Sequence, residues 1–144
     1  QQAAFVQRRA ALFDVRVRAG WIVEGHGDLR PEHICLLPEP QIIDCLEFSK
    51  DLRMAVAADE IEFMELECER LGASRLRQTI FDAWSAASGD APPPAIVDFY
   101  QSYRAVMRAK IAIWHLKEPQ LRDDPRWAAQ ARDYLRLARE RIDR

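Results

Sequence analysis

Lysine is nearly absent from this chain of 144 residues. Lys50, Lys110 and Lys117 are the only three among 21 basic side chains, so arginine carries almost all the positive charge. Cysteine is also scarce. Cys35, Cys45 and Cys68 form no C-x-x-C pair and are odd in number, which excludes a disulfide scaffold and a zinc ribbon and places the expected home in a reducing, cytoplasmic compartment. No stretch approaches the roughly 20 apolar residues of a membrane span, and Gln1 to Arg9 lack the apolar centre of a signal peptide. Nor is there an excess of one charge: 21 basic against 23 acidic residues leave a net −2, so no global field is available to hold nucleic acid. The five glycines, Gly20, Gly25, Gly27, Gly72 and Gly89, never fall as G-x-G-x-x-G.

What remains is 49% hydrophobic and 31% charged, the composition of one globular domain spanning 1–144. The charge is unevenly spread, with residues 1–97 at net −6 and residues 98–144 at net +4. The halves can attract each other, or the second can face an anionic partner.

Helical spacing dominates. A first helix is expected from Gln1 to Ala19, stopped by Gly20. Trp21 to Glu47 changes character. Short apolar runs at 34–37 and 41–48 flank Pro38-Glu39-Pro40 and predict a β-hairpin. After Phe48 the pattern is helical to the end. Asp59 with Glu62 three residues on suggests a capping box for a helix ending at Gly72, its inner face Ile61, Met64, Cys68 and Leu71. The acidic run Asp59, Glu60, Glu62, Glu65, Glu67 and Glu69 would suit a polycationic substrate, but a solvated helix face explains it more cheaply. Further helices are expected at 74–87, at 94–117 with Phe99, Tyr103, Val106, Met107, Ile111 and Trp114 inward, and from Pro125 onward behind an Asp124 cap. The last should bury Trp127, Ala131, Tyr134, Leu135, Ala138 and Ile142 and expose its arginines, Arg126 to Arg144.

The local feature richest in chemistry is His26-Gly27-Asp28-Leu29, followed beyond a short strand and turn by Ile42-Ile43-Asp44. Carboxylates at the edges of apolar strands are costly to bury without a hydrogen-bond network or a cation. The hairpin register decides whether they cooperate. A two-residue turn sets His33 opposite Asp44, on one face and about 4.5–5.5 Å apart at Cβ. A three-residue turn sets His33 opposite Cys45, and the side chains diverge.

At these residues the sequence resembles aminoglycoside phosphotransferase-like enzymes. His26-Gly27-Asp28-Leu29-Arg30-Pro31-Glu32-His33-Ile34 is similar to their catalytic loop H-G-D-L-H-x-x-N-[IVL], Ile42-Ile43-Asp44 to their metal-binding segment, and Asp59 to the later Asp that supports the site. The resemblance covers about 1–72. It implies the carboxy-terminal lobe of a protein-kinase-like fold, mainly α with a small β-hairpin, with loop and hairpin over 21–48 and a helical subdomain over 58–144.

The resemblance further implies an ATP-dependent kinase acting on a small-molecule hydroxyl. Asp28 would orient or deprotonate that hydroxyl, and Asp44 would hold magnesium against the nucleotide phosphates. His26 and Asp59 would be structural. Phosphoryl transfer asks mostly for positioning and charge neutralisation, which these residue types supply. Two positions depart from the pattern: Arg30 replaces the second His, and His33 replaces an Asn metal ligand. An imidazole there shifts preference from Mg2+ toward Mn2+. Arg30 could grip a phosphate bidentately, or pair with Glu32 or Asp28. With no Gly-rich loop or strand lysine, and starting within a helix without Met, the chain reads as a fragment whose partner is a missing amino-terminal lobe; alone it should be inactive. No nucleic acid or membrane partner is expected. The other readings are a degenerate, non-catalytic kinase-like binding module, and a metal-dependent hydrolase with His26, Asp28 and His33 as ligands.

Overall fold

A computed structural model describes residues 2–142; Gln1, Asp143 and Arg144 lie outside the described residues. Among the described residues the chain is mainly helical with two short antiparallel strand pairs, and no helix is long and apolar enough to cross a membrane.

The first helix is broken. It forms as α1 (Gln2–Arg8) and α2 (Ala10–Arg18), divided at Arg9, whose φ of −120° and ψ of 24° leave the helical region. Phe5 of α1 and Phe13 of α2 both lie against Phe99, at centroid separations of 5.2 and 5.1 Å, and Arg16 pairs with the buried Asp90. Gly20, at φ 78°, ends α2 as the sequence suggests.

Strand β1 (Ile22–Glu24) pairs with β4 (Met54–Val56) in the register Ile22↔Val56, and the helical turn α3 (Lys50–Arg53) precedes β4. This region, expected to be helical, contains a strand. Its Met-Ala-Val run leads straight into α4 (Ala57–Arg70), so the helix begins before Asp59 with no side-chain cap. The capping box is therefore not formed: Asp59 and Glu62 lie within the opening turns of the helix. The hairpin of β2 (Ile34–Cys35) and β3 (Gln41–Ile42) adopts neither expected register. Cys35 pairs with Gln41 across the five-residue loop 36–40, and Ile34 pairs with Ile42.

Three further helices complete the fold: α5 (Leu76–Ser88), α6 (Pro94–His115) and α7 (Pro125–Ile142). Asp124 caps α7, its carboxylate accepting from the Arg126 N–H at 2.9 Å. His115 at the end of α6 meets Trp127 at the start of α7, while Ser102 of α6 and Ile142 of α7 line one cavity, so the two helices run antiparallel. The core between α4, α6 and α7 consists of Phe63, Leu66, Ala105, Ala109, Tyr134, Leu137 and Ala138. Each large apolar side chain buried there contributes about 1.5–3 kcal/mol.

Several inner faces differ from the hydrophobic pattern. On α6 the buried face holds Ala105, Ala109 and Ala112, with Arg104 and Gln101, while Tyr103, Val106 and Trp114 are exposed. Small residues there let α7 approach closely, and the aromatics pack at the margins. On α7, Ala131, Tyr134 and Ala138 are buried as expected; Leu135 and Ile142 are not, and Leu137 and Arg141 take the inner positions. The largest departure is α4. Leu71 is exposed, Phe63 and Leu66 are in the core, and Asp59, Glu60, Glu62, Glu65 and Glu67 are all buried rather than solvated. Arginine and backbone N–H groups make this tolerable. Asp59 meets Arg104, Glu67 meets Arg70, Glu69 meets Arg77 and Arg141, and Glu60 accepts from the loop that follows β1. Arg104 and Arg141 thus bring the positive half of the chain onto the negative half.

Candidate functional site

The loop from Gly25 to His33 is held from beneath by α4 and α6. Glu60 accepts from the backbone N–H of His26 at 2.9 Å and from that of Gly27. Arg104 grips Asp59 with two hydrogen bonds of 2.8 Å and donates a third, of 3.0 Å, to the Gly27 carbonyl. Two glycines are required by this approach. A Cβ on Gly25 would stand 2.9 Å from the Glu60 carboxyl carbon; one on Gly27, already at φ 86°, would stand 2.7 Å from Leu46 Cδ1.

His26 is engaged through both ring nitrogens. Nε2 lies 2.7 Å from the Ile43 carbonyl and must donate to it, which leaves Nδ1 to accept from the Asp28 N–H at 3.3 Å. The ring ties the loop to the segment preceding Asp44 and has no lone pair to offer a metal, so the hydrolase reading loses one of its three ligands. His33 is placed in a single 3₁₀ turn (Pro31–His33) and is buried, with its ring stacked on His26 at 5.4 Å. Its Nδ1 donates to the Asp28 carbonyl at 2.9 Å, fixing the tautomer with the Nε2 lone pair outward.

That lone pair accepts from Arg30 Nη2 at 3.1 Å, and Asp44 stands beside it. His33 Nε2 lies 3.3 Å from Asp44 Oδ2. In the observed register the residue across from His33 is Ile43, whose N–H bonds the His33 carbonyl at 2.9 Å. Asp44 lies one position beyond and turns back because it adopts φ 62°, a left-handed conformation that Asp tolerates better than most residues. Its side chain is 77% exposed.

Asp28 is enclosed by arginines. Arg30 Nε donates to its Oδ2 at 3.0 Å, and Arg108 Nη1 lies 3.6 Å from its Oδ1. Arg30 also pairs with Glu32 and places Nη2 3.1 Å from His33 Nε2. Arg30 thus bridges Asp28 and His33, and Asp44 lies against the same ring nitrogen without a donor between them. Of the alternatives for Arg30, both carboxylate pairings are made.

Among the described residues no three His, Cys, Asp or Glu side chains are grouped to hold a metal ion. His33 Nε2 and Asp44 Oδ2 can turn to one ion only where Arg30 Nη2 leaves that nitrogen. An imidazole whose other nitrogen donates to a backbone carbonyl, beside an exposed carboxylate, is the usual outer arrangement of a ligating histidine. Mg2+ and Mn2+ bound with a nucleotide take most of their ligands from phosphate and water.

Three participants escaped the sequence reading: Glu60, Arg104 and Arg108. The arginines lie four residues apart on one helical face, and that spacing within the positive half of the chain is the signal that could have found them.

The chain is 36% identical over 139 residues to proteins of Mycobacterium tuberculosis and Mycobacterium bovis that are named only as uncharacterized. The match covers 96% of this chain and 27% of each relative, so the chain spans about a quarter of their length. No family model matches it. No solved structure matches it either.

Proposed function

We propose that this chain is the catalytic lobe of an ATP-dependent phosphotransferase acting on the hydroxyl of a small molecule, with the carboxy-terminal-lobe architecture of kinase-like enzymes. The observation that carries the reading is the union of the His26-Gly27-Asp28 loop with Asp44 through His33, on a base fixed by Glu60, Asp59 and Arg104.

In this reading Asp28 receives the acceptor hydroxyl and orients it in line with the γ-phosphate. Asp44 and His33 hold the divalent ion, Mg2+ or more readily Mn2+, that neutralises charge on the phosphates. Arg30 leaves Asp28 for a phosphate oxygen as nucleotide binds, which frees the carboxylate for the hydroxyl; its planar fork suits either partner. His26 and Asp59 position the loop. The nucleotide-binding lobe is supplied by the rest of the polypeptide.

The test uses the longest natural polypeptide that contains this chain, incubated with ATP, Mg2+ or Mn2+ and a panel of hydroxylated acceptors, with phosphate monoesters detected by 31P NMR. Product that disappears in both Asp28→Asn and Asp44→Asn supports the reading. A polypeptide that yields no product with any acceptor and metal, before and after His33→Asn, supports instead a non-catalytic binding module, the reading favoured by His33 in the Asn position.

A further inference from the structure

On α4, Glu62 and Glu65 follow Glu60 by two and five residues, about 200° and 140° around the helix, so they lie on the side turned away from the Gly25–His33 loop. They face α5 and the start of α6 and line a cavity of about 460 Å³ with Arg77, Phe81, Pro92 and Val97. Glu62 is fully buried and Glu65 is 3% exposed, yet one oxygen of each, Oε1, has no hydrogen-bond partner. Such atoms are rare in folded proteins because each forfeits its hydration without replacement.

Among the cations nearby, Arg77 Nε also lacks a hydrogen-bond partner, while the other guanidinium nitrogens of Arg77 and Arg141 are directed at Gln101, Glu69 and Glu140. Gln101 donates to Glu62 Oε2 at 2.6 Å, and its oxygen accepts from Arg141 Nε at 2.6 Å and Arg77 Nη2 at 3.3 Å. Arg77 and Arg141 both pair with Glu69, and Arg77 Nε lies 3.6 Å from Glu65 Oε2. Glu62 therefore meets an amide and no guanidinium. Glu62, Glu65 and Glu69 have only Arg77 and Arg141 near them, and Arg141 is also shared with Glu140, so carboxylates outnumber arginines here.

We infer that the cavity between α4, α5 and the start of α6 binds a primary organic ammonium ion, its N–H groups directed at the free oxygens of Glu62 and Glu65 and its carbon body against Phe81, Pro92 and Val97. Two oxygens beside two arginines suit a monovalent cation better than a divalent metal, which needs more oxygen ligands. The apolar wall suits an organic body better than a bare ion. The inference stands apart from the phosphotransferase reading, since no residue of the Asp28 network takes part.

A proton fills the deficit when ligand is absent. Burial, reinforced by Glu65 and Asp98 against Gln101 and Arg77, pushes Glu62 up to about 8. Burial likewise pushes Glu65 up to about 7, with Arg77 and Arg141 opposing and Asp82 adding to the shift. An arriving ammonium favours the carboxylate and expels the proton.

Isothermal titration of the longest natural polypeptide with n-butylammonium, in two buffers of different ionisation enthalpy at about pH 7, reads both binding and proton release. Saturable binding with close to one proton released, affinity rising between about pH 6 and pH 8, and no binding of n-butanol are expected. Glu62→Gln, checked for folding by circular dichroism, should weaken binding roughly tenfold or more and reduce the release; Glu65→Gln serves if that variant does not fold. Asp28→Asn should leave binding unchanged. Absence of saturable binding, binding without proton release, or affinity lost with Asp28→Asn and kept with Glu62→Gln would overturn the inference.

Discussion

His33 and Asp44 meet at 3.3 Å, although the hairpin between them takes a register that sets His33 against Ile43. The contact is made by the left-handed backbone of Asp44, at φ 62°, rather than by cross-strand pairing. Such a backbone at an exposed carboxylate is a local strain that persists where surrounding structure holds it, and here Ile43 is pinned on one side by His26 and on the other by His33.

Exchange of His33 for Asn replaces an imidazole nitrogen with an amide oxygen beside Asp44. The ratio of Mg2+-supported to Mn2+-supported transfer should rise, because the harder ion prefers oxygen. Initial rates in the two metals measure it. An unchanged ratio would remove His33 from the metal shell.

Asp28→Asn keeps the shape and removes the charge that, in the proposed reading, orients the acceptor hydroxyl. Transfer should fall by about 10²–10⁴, the usual range for a positioned acid–base group, while the thermal midpoint changes little, since Asp28 is partly exposed. Single-turnover kinetics and a melting curve separate the two effects.

The Asp59–Arg104 pair is buried and supports the Gly27 carbonyl. Arg104→Met strands a carboxylate beneath the loop and should destabilise the fold by about 3–5 kcal/mol in urea titration. Replacing both partners by apolar residues should recover much of that stability but not the loop geometry, so transfer should stay low.

Burial pushes Glu62 up to about 8, against an ordinary glutamate value of 4.5. A carboxyl whose folded value is raised contributes its stability below the unfolded value and loses it as pH rises through the folded one. Wild-type stability should therefore fall between about pH 5 and pH 8 relative to Glu62→Gln, and the two melting curves should converge toward acid. A variant with the same pH slope would exclude Glu62 as the titrating group.

The helices α5 to α7 and their ends were legible because Gly89, Pro94, Asp124 and Pro125 act through local backbone chemistry. The loop and the Asp44 segment were legible because their residue types carry chemistry wherever the chain puts them. The inner faces of α4 and α6 were not. Hydrophobic periodicity assumes that charge faces water, and Glu60, Glu62, Glu67, Arg104 and Arg141 violate it by meeting partners distant in sequence. Strand β4 was hidden for a related reason, since three residues are too few for a period and its partner β1 lies about 30 positions upstream.

Electron spin-echo spectroscopy of Mn2+ with ATP on the longest natural polypeptide tests most directly the proposal that His33 and Asp44 share an ion. A nitrogen coupling that vanishes in His33→Asn, with weakened Mn2+ affinity in Asp44→Asn, is the expected result. A Mn2+ signal without nitrogen coupling and indifferent to both substitutions would contradict an ion held between these two side chains.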